Sequence, residues 1–132
     1  MAENEKSIGE IAWVDLTVGD AAPIRDFYAD VVGWTTTPVD MGGYNDFCMN
    51  ASSTGEAVSG VCYARGSNAD LPPVWLVYII VENLDHSIAR CLEHGGRIVS
   101  DPKDMGASGR YCVVQDPAGA TFALFQYAES QA

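Results

Sequence analysis

A period-2 strand pattern runs along Ile11-Ala12-Trp13-Val14-Asp15-Leu16-Thr17-Val18 and then gives way to helical spacing, through Phe27-Tyr28 to a stop at Gly33-Trp34. About sixty residues later the plan returns. Trp75-Leu76-Val77-Tyr78-Ile79-Ile80-Val81 leads into Glu82-Asn83-Leu84-Asp85, a helical run to His94, and Gly95-Gly96. An echo on this scale predicts two copies of one supersecondary unit, each needing the other to bury its apolar face. Function is expected in a cleft that the copies share.

In the first copy, about 10–64, the pattern predicts a strand at 10–18 and a helix at 21–32, with Asp20 as N-cap and Pro23 in the first turn. Strands follow at 34–39, 44–50 and 57–64, punctuated by Gly42-Gly43 and Ser52-Ser53-Thr54-Gly55. Residues 65–73, with Gly66, Ser67, Asn68 and Pro72-Pro73, have linker chemistry. The second copy, about 74–127, repeats the order as strand 74–81, helix 84–94 and strands 97–100, 110–115 and 120–127, with Asp116-Pro117-Ala118-Gly119 as the last turn. Tails are expected at 1–9 and 128–132, around a single domain at 10–127, the default for 132 residues. The predicted class is α+β: paired βαβββ modules, with mixed sheets curled around a cleft and helices outside.

Strand alternation assigns side chains to faces. On the first strand Ala12, Val14, Leu16 and Val18 suit the helix side, which leaves Ile11, Trp13, Asp15 and Thr17 for the other. On the fifth, Val77, Ile79 and Val81 suit the helix, leaving Leu76, Tyr78 and Ile80, with Trp75 ambiguous at the strand end. On the last, Phe122 and Leu124 suit the helix, leaving Thr121, Ala123 and Phe125. On the second helix, Leu84, Ile88, Cys91 and Leu92 share one face. A sheet face lined by aromatics and a few polar groups fits a small-molecule pocket.

Eighteen acidic against seven basic residues give a formal charge of −11. That sign disfavours nucleic acid and anionic membrane as partners and leaves neutral or cationic ones, with plain solubility as the simplest account of the charge. No apolar run approaches the roughly 20 residues needed to span a bilayer, and residues 1–10 lack the apolar core of a signal peptide. A soluble cytoplasmic protein is expected. Cys48, Cys62, Cys91 and Cys112 stand singly, without a C-x-x-C pair, and read as reduced core residues rather than as a zinc or redox site.

The motifs W-V-D-L-T-V-G-D (13–20), F-Y (27–28), G-W (33–34), W-L-V-Y-I-I-V-E-N-L-D (75–85), G-G (95–96) and G-R-Y-C-V-V-Q-D-P-A-G-A-T-F-A-L-F-Q (109–126) resemble the vicinal oxygen chelate superfamily. This is the glyoxalase, bleomycin-resistance and extradiol dioxygenase group, and the resemblance covers about residues 10–127. It implies the same paired βαβββ modules and, for a chain of this length, a homodimer. Metal-dependent members take ligands from a His, Gln or Glu in the first strand, a His in the fifth and a Glu in the last. The matching positions are Trp13, about Leu76, and Ala123, none of which ligates a divalent ion. The fourth position, near the end of the fourth strand, is not fixed by motif; Glu56, Ser59 and Cys62 lie in that region. No metal and no cofactor is therefore expected. His86 and His94, the only histidines, read as surface residues of the second helix, which sets aside the two-His, one-Glu iron chemistry of the dioxygenases.

Asp15 is the leading candidate for chemistry, because an apolar cleft would raise its pKa and suit it as a general base or as the anchor of a cationic ligand. A structural Asp, bonded to a neighbouring strand or to Arg110, is the plain alternative. Trp13, Thr17, Trp75, Tyr78 and Phe125 are candidate ligand contacts, although core packing or a dimer face explains any one of them singly. Arg110, after the glycine-bearing stretch Gly106–Arg110 that reads as a mobile loop, is placed to hold a carboxylate or phosphate or to form a rim salt bridge. Tyr44, Asn45 and Asp46 are candidates for an opposite lip. The resulting expectation is a metal-free protein binding a small organic molecule. The alternatives are a lyase- or isomerase-type enzyme of the same group, using Asp15 as base or a displaced metal site with Asp15 and Glu56, and a module whose open face only packs.

Overall fold

The computed structural model describes residues 5–129, so residues 1–4 and 130–132 of the expected tails lie outside the described residues. The elements run β1 (Ile11–Val18), α1 (Ala21–Val32), β2 (Thr35–Asp40), β3 (Asn45–Asn50), β4 (Ala57–Tyr63), β5 (Trp75–Ile80), α2 (Leu84–Glu93), β6 (Arg97–Asp104), β7 (Gly109–Gln115) and β8 (Thr121–Tyr127). The class is α+β with the βαβββ order twice, as the sequence predicts. Two compact units divide at Trp75, one holding Trp13–Trp75 and the other residues 5–12 with 76–129. Among the described residues no helix is long and apolar enough to cross a membrane.

Within residues 13–75, β1 pairs in parallel with β4, while β4 pairs antiparallel with β3 and β3 with β2. The second unit repeats this topology, with β5 parallel to β8, and β8, β7 and β6 antiparallel in turn. Residues 6–9 are more ordered than a tail, since Gly9 N donates to Ile80 O at 2.8 Å and Lys6 N to the Tyr127 hydroxyl at 3.0 Å.

Each helix covers one face of its own strands. Under α1 lie Ala21, Phe47, Met49 and Val61, bordered by Val18, Ile24 and an aromatic group of Tyr28, Trp34 and Trp75. The Tyr28 and Trp75 ring centroids are 5.0 Å apart, and Trp75 Nε1 donates to the Tyr28 hydroxyl at 3.0 Å. Under α2 lie Leu84, Ile88, Cys112, Val114 and Leu124, with Cys91 and Phe122 against them. Leu92, expected on that face, is instead exposed.

The helix starts differ. Asn83 caps α2, its Oδ1 accepting from His86 N at 2.9 Å, and Asp85 in the first turn and Arg90 in the last complement the helix dipole. Asp20 occupies the cap position of α1 but makes no side-chain cap bond. Strand β6 runs four residues past the predicted end, because register shifts between Ile98 and Lys103 let the pairing carry past Pro102. The stretch expected as a mobile loop forms a short 3-10 turn at Gly106–Ser108, and β7 begins at Gly109. One signal escaped the pattern reading: Asp40-Met41-Gly42 and Asp104-Met105-Gly106 open equivalent hairpins, each Asp Oδ1 accepting from its glycine N–H at 2.8 Å.

Candidate functional site

In residues 13–75, Leu16 pairs with Val61, and Val61 with Phe47, all on the side of α1. Alternation therefore places Trp13, Asp15 and Thr17 of β1, Gly60 and Cys62 of β4, and Asp46 and Cys48 of β3 together on the opposite face. Asp15 stands beside Gly60, Thr17 beside Cys62, and Cys48 on the other flank of Gly60. A Cβ at Gly60 would lie 3.3 Å from Asp15 Cβ, 3.7 Å from Phe47 O and 3.8 Å from Cys62 Sγ, so the glycine lets Asp15 and its neighbours pack closely at this point. Gly60 has a negative φ, so close packing against Asp15, and not turn geometry, is what the missing side chain serves here.

The surroundings of Gly60 are acidic. Asp46, nearly buried, accepts from Tyr63 N at 2.9 Å. Burial first, then the charges of Asp15 and Asp46 and a hydrogen bond to Asp46, push the Cys62 thiol well above its ordinary pKa. Cys62 is thus a neutral thiol and a poor nucleophile at neutral pH. Asp15 is half-buried, and Thr17 is buried beside Cys62.

The corresponding face of the second unit is aromatic. Leu124 packs on α2, so Tyr78, paired with Ala123, and Ile80, paired with Phe125, point the other way. Tyr111 and Val113 of β7 join them through pairing with Phe125 and Ala123. Leu76, Ile80, Val113 and Ala123 are buried, while Tyr78, Tyr111 and Phe125 stay half-exposed. The Tyr78 and Tyr111 centroids lie 5.6 Å apart, and Lys103 Nζ sits 5.4 Å over the Tyr111 ring.

Trp75 and Arg110 lie off the open face, Arg110 in the salt bridge that was one of its two readings. Trp75 packs in the core of α1 against Tyr28 and Trp34 and not on the open face. Arg110 alternates with Tyr111 onto the helix side, where its guanidinium meets both Asp85 oxygens at 3.2 and 3.4 Å. That hydrogen bond, followed by the charge of Asp85, raises the Arg110 pKa. Trp13, Asp15 and Thr17 do share one face, as do Tyr78 and Phe125. Asp46, a candidate for the opposite lip, and Cys62 lie beside Asp15, while Gly60, Tyr111 and Lys103 were missed, although alternation carried through 60–62 and 109–115 contains the signal for all but the lysine.

The family's metal positions do not fit an ion here. Leu76 and Ala123 form part of a buried apolar floor, and Trp13 offers no donor suited to a divalent cation. The displaced pair of Asp15 and Glu56 also fails, because Glu56 precedes β4 and lies four residues from Gly60, about 13 Å along the strand from the partner of Asp15. Among the described residues no group of three or more His, Cys, Asp or Glu is placed to hold a metal. His86 and His94 are exposed on α2. Cys48 and Cys62 sit diagonally across β3 and β4, a relation of about 7–8 Å between Cα atoms that exceeds a disulfide span. All four cysteines are free.

A model of the family described as the Glyoxalase/Bleomycin resistance protein/Dioxygenase superfamily matches residues 10–124. The anthracycline biosynthesis protein DnrV of Streptomyces peucetius is 35% identical over 89% of this chain. The alignment takes in 47% of DnrV, so the chain spans about half the length of that relative. Among solved structures, methylmalonyl-CoA epimerase from Mycobacterium tuberculosis superposes with a TM-score of 0.56 at 16% identity, covering 95% of this chain and 94% of that one. The Mn(II)-bound glyoxalase from Novosphingobium aromaticivorans gives a TM-score of 0.56 at 19% identity, over 95% of this chain and 42% of that one. At these identities the structures speak for the fold alone.

Proposed function

The chain belongs to the glyoxalase/bleomycin-resistance/dioxygenase superfamily, and on that premise we propose that it binds a small organic molecule on the helix-free face of its strands, with Asp15 as the charged anchor and no metal at the family's usual positions. The observation that carries this reading is the acidic surroundings of Asp15 on the helix-free face. Asp15 is half-buried beside Gly60, with the nearly buried Asp46 and a neutral Cys62 thiol around it. An ammonium or guanidinium reaching Asp15 would form a charge-assisted hydrogen bond strengthened by the low local dielectric. Trp13 and Thr17 flank Asp15 along β1 as apolar and hydroxyl contacts. Tyr78 and Phe125 offer ring contacts on the equivalent face of the other unit. The relative named for anthracycline biosynthesis supports a small organic ligand over a macromolecule. A cytoplasmic homodimer is part of the same proposal, checked by light scattering of the purified protein.

The test is calorimetric titration of the full chain with matched cationic and neutral small aromatics. Asp15→Asn is expected to weaken the cation by about 10- to 100-fold, the worth of one hydrogen bond to a charged group, and to leave the neutral analogue unchanged. Gly60→Val should weaken both by crowding Asp15, whose Cβ lies 3.3 Å from where the new Cβ would stand. Equal affinity of Asp15→Asn for the cation would sink the reading, as would near-stoichiometric metal in protein purified without chelator. Should a bound compound be converted by wild type and not by Asp15→Asn, the carboxylate is a general base and the protein an enzyme.

A further inference from the structure

We infer that the aromatic face built by Tyr78, Tyr111 and Phe125 selects a planar aromatic anion, with Lys103 as the residue that determines the charge preference. This concerns the open face of the other unit and rests on the reading above only in its premise that the ligand is a small organic molecule. Tyr111 and Phe125 are direct partners across β7 and β8, which sets their Cβ atoms about 5 Å apart. Tyr78 joins them from β5, its strand paired to β8 through Ala123, so rings from three adjacent strands share one surface. Between them the floor is kept low by Ala123 and Val113, both fully buried.

These rings differ from core aromatics. Phe47, under α1, is 8% exposed, whereas Tyr78, Tyr111 and Phe125 are each only half-buried. A half-exposed set of rings above a buried aliphatic floor offers a planar ligand a stacking surface without first opening the core.

Lys103 gives that surface a sign. It is in register with Tyr111, its ammonium lies 5.4 Å over that ring, and its side chain is half-buried. In a chain of formal charge −11 with seven basic residues, the general field repels anions, so anion recognition needs a cation beside the contact surface itself. The ring holds the ammonium near the stack, and an aromatic carboxylate or phenolate lying on Tyr78 and Tyr111 would bring its oxygen within hydrogen-bonding reach. The other unit carries none of this at equivalent register: Asp46 stands for Tyr111, Cys62 for Phe125, and Asp15 for Tyr78.

The experiment titrates the full chain by calorimetry with 2-naphthoate, 2-naphthylmethanol, 2-naphthylmethylammonium and cyclohexanecarboxylate at low and physiological salt. Naphthoate is expected to bind at least about tenfold more tightly than cyclohexanecarboxylate, from ring stacking, and more tightly than the alcohol, from the charge. Lys103→Met should remove the preference of naphthoate over the alcohol while leaving the alcohol unchanged, and Lys103→Arg should retain most of it. Tyr111→Leu should weaken every naphthyl compound. Unchanged naphthoate affinity in Lys103→Met, with thermal unfolding like wild type, would overturn the inference. If only the ammonium binds, and binds through Asp15, the inference falls while the small-molecule reading stands. If no naphthyl compound binds and the cationic panel is also silent, both fall.

Discussion

On the strand positions that face away from the helix, residues 13–75 carry Asp15, Thr17, Gly60, Cys62 and Asp46, and the other unit carries, in the same register, Tyr78, Ile80, Ala123, Phe125 and Tyr111. The faces turned to the helices are far more alike: Phe47, Met49 and Val61 under α1 answer Cys112, Val114 and Leu124 under α2. Ladder pairing is made by backbone groups and accepts any side chain that fits, so a repeated topology leaves the open face to diverge. The helix-covered face has no such freedom, because every residue there must fill space at interior density. One copy has become small and acidic, the other ring-lined.

The sharpest way to break the repeat is at its hairpins. Met41 N bonds Tyr44 O, and in the other unit Met105 N bonds Gly109 O at 2.7 Å, so Tyr44 and Gly109 hold equivalent places. They are not interchangeable. Gly109 has φ 129°, and a Cβ there would lie 2.2 Å from Gln126 O. Gly109→Ala is expected to cost roughly 3 kcal/mol or more, from backbone strain plus overpacking, read as a lower urea midpoint. A loss below about 0.5 kcal/mol would show that β7 and β8 separate easily at this end.

The thiols compare the units through pH. Burial first, then the charge of Asp101, pushes Cys112 up to about 11, and Cys62 in the other unit is also raised. A thiol whose folded pKa is raised adds stability that is complete below its ordinary value of 9.0 and drains as pH climbs towards 11, because only the unfolded chain ionises readily there. Chemical unfolding is therefore expected to show stability falling between about pH 9 and 11. Cys112→Ala should be less stable throughout, from the lost packing, but with a flatter slope in that window.

A finer contrast lies in the caps. Asn83→Ala should cost about 1 kcal/mol, since its Oδ1 satisfies His86 N, whereas Asp20→Ala should cost a few tenths at most, having no cap bond to lose. Equal losses would remove the distinction between the helix starts. Smallest of all, Ser59→Ala is expected to raise stability by up to about 1 kcal/mol. Its hydroxyl is buried under α1 without a hydrogen-bond partner, and removing an unsatisfied group removes its desolvation penalty. A loss on Ser59→Ala would show that the hydroxyl is satisfied in solution.

Much of the fold was legible because its signals are local. The βαβββ order, the α1 range, the helix-facing sets on β1, β5 and β8 and the stop at Gly33 come from periodicity and turn chemistry that neighbouring residues enforce. The site was half legible. Trp13, Asp15 and Thr17 share a face because alternation within one strand requires it, but the residue standing next to Asp15 depends on how β1 registers against β4, forty-five positions away. Trp75, ambiguous at its strand end, and Arg110, open between an anion contact and a salt bridge, were decided by packing. A strand-end side chain is free to follow its neighbours' rings, and the side chosen by Arg110 is set by whether the strand is phased on Tyr111 or on Cys112.

By itself the sequence determined the repeated topology and the phases of β1, β5 and β8, since each depends on residue type at short spacing. Only the tertiary structure decided that Gly60 stands against Asp15, that Asp46 and Cys62 lie beside them, and that Lys103 lies over Tyr111. Those relations are made by long-range register, and register is fixed by packing against the helices, where residues far apart in the chain must fit one volume.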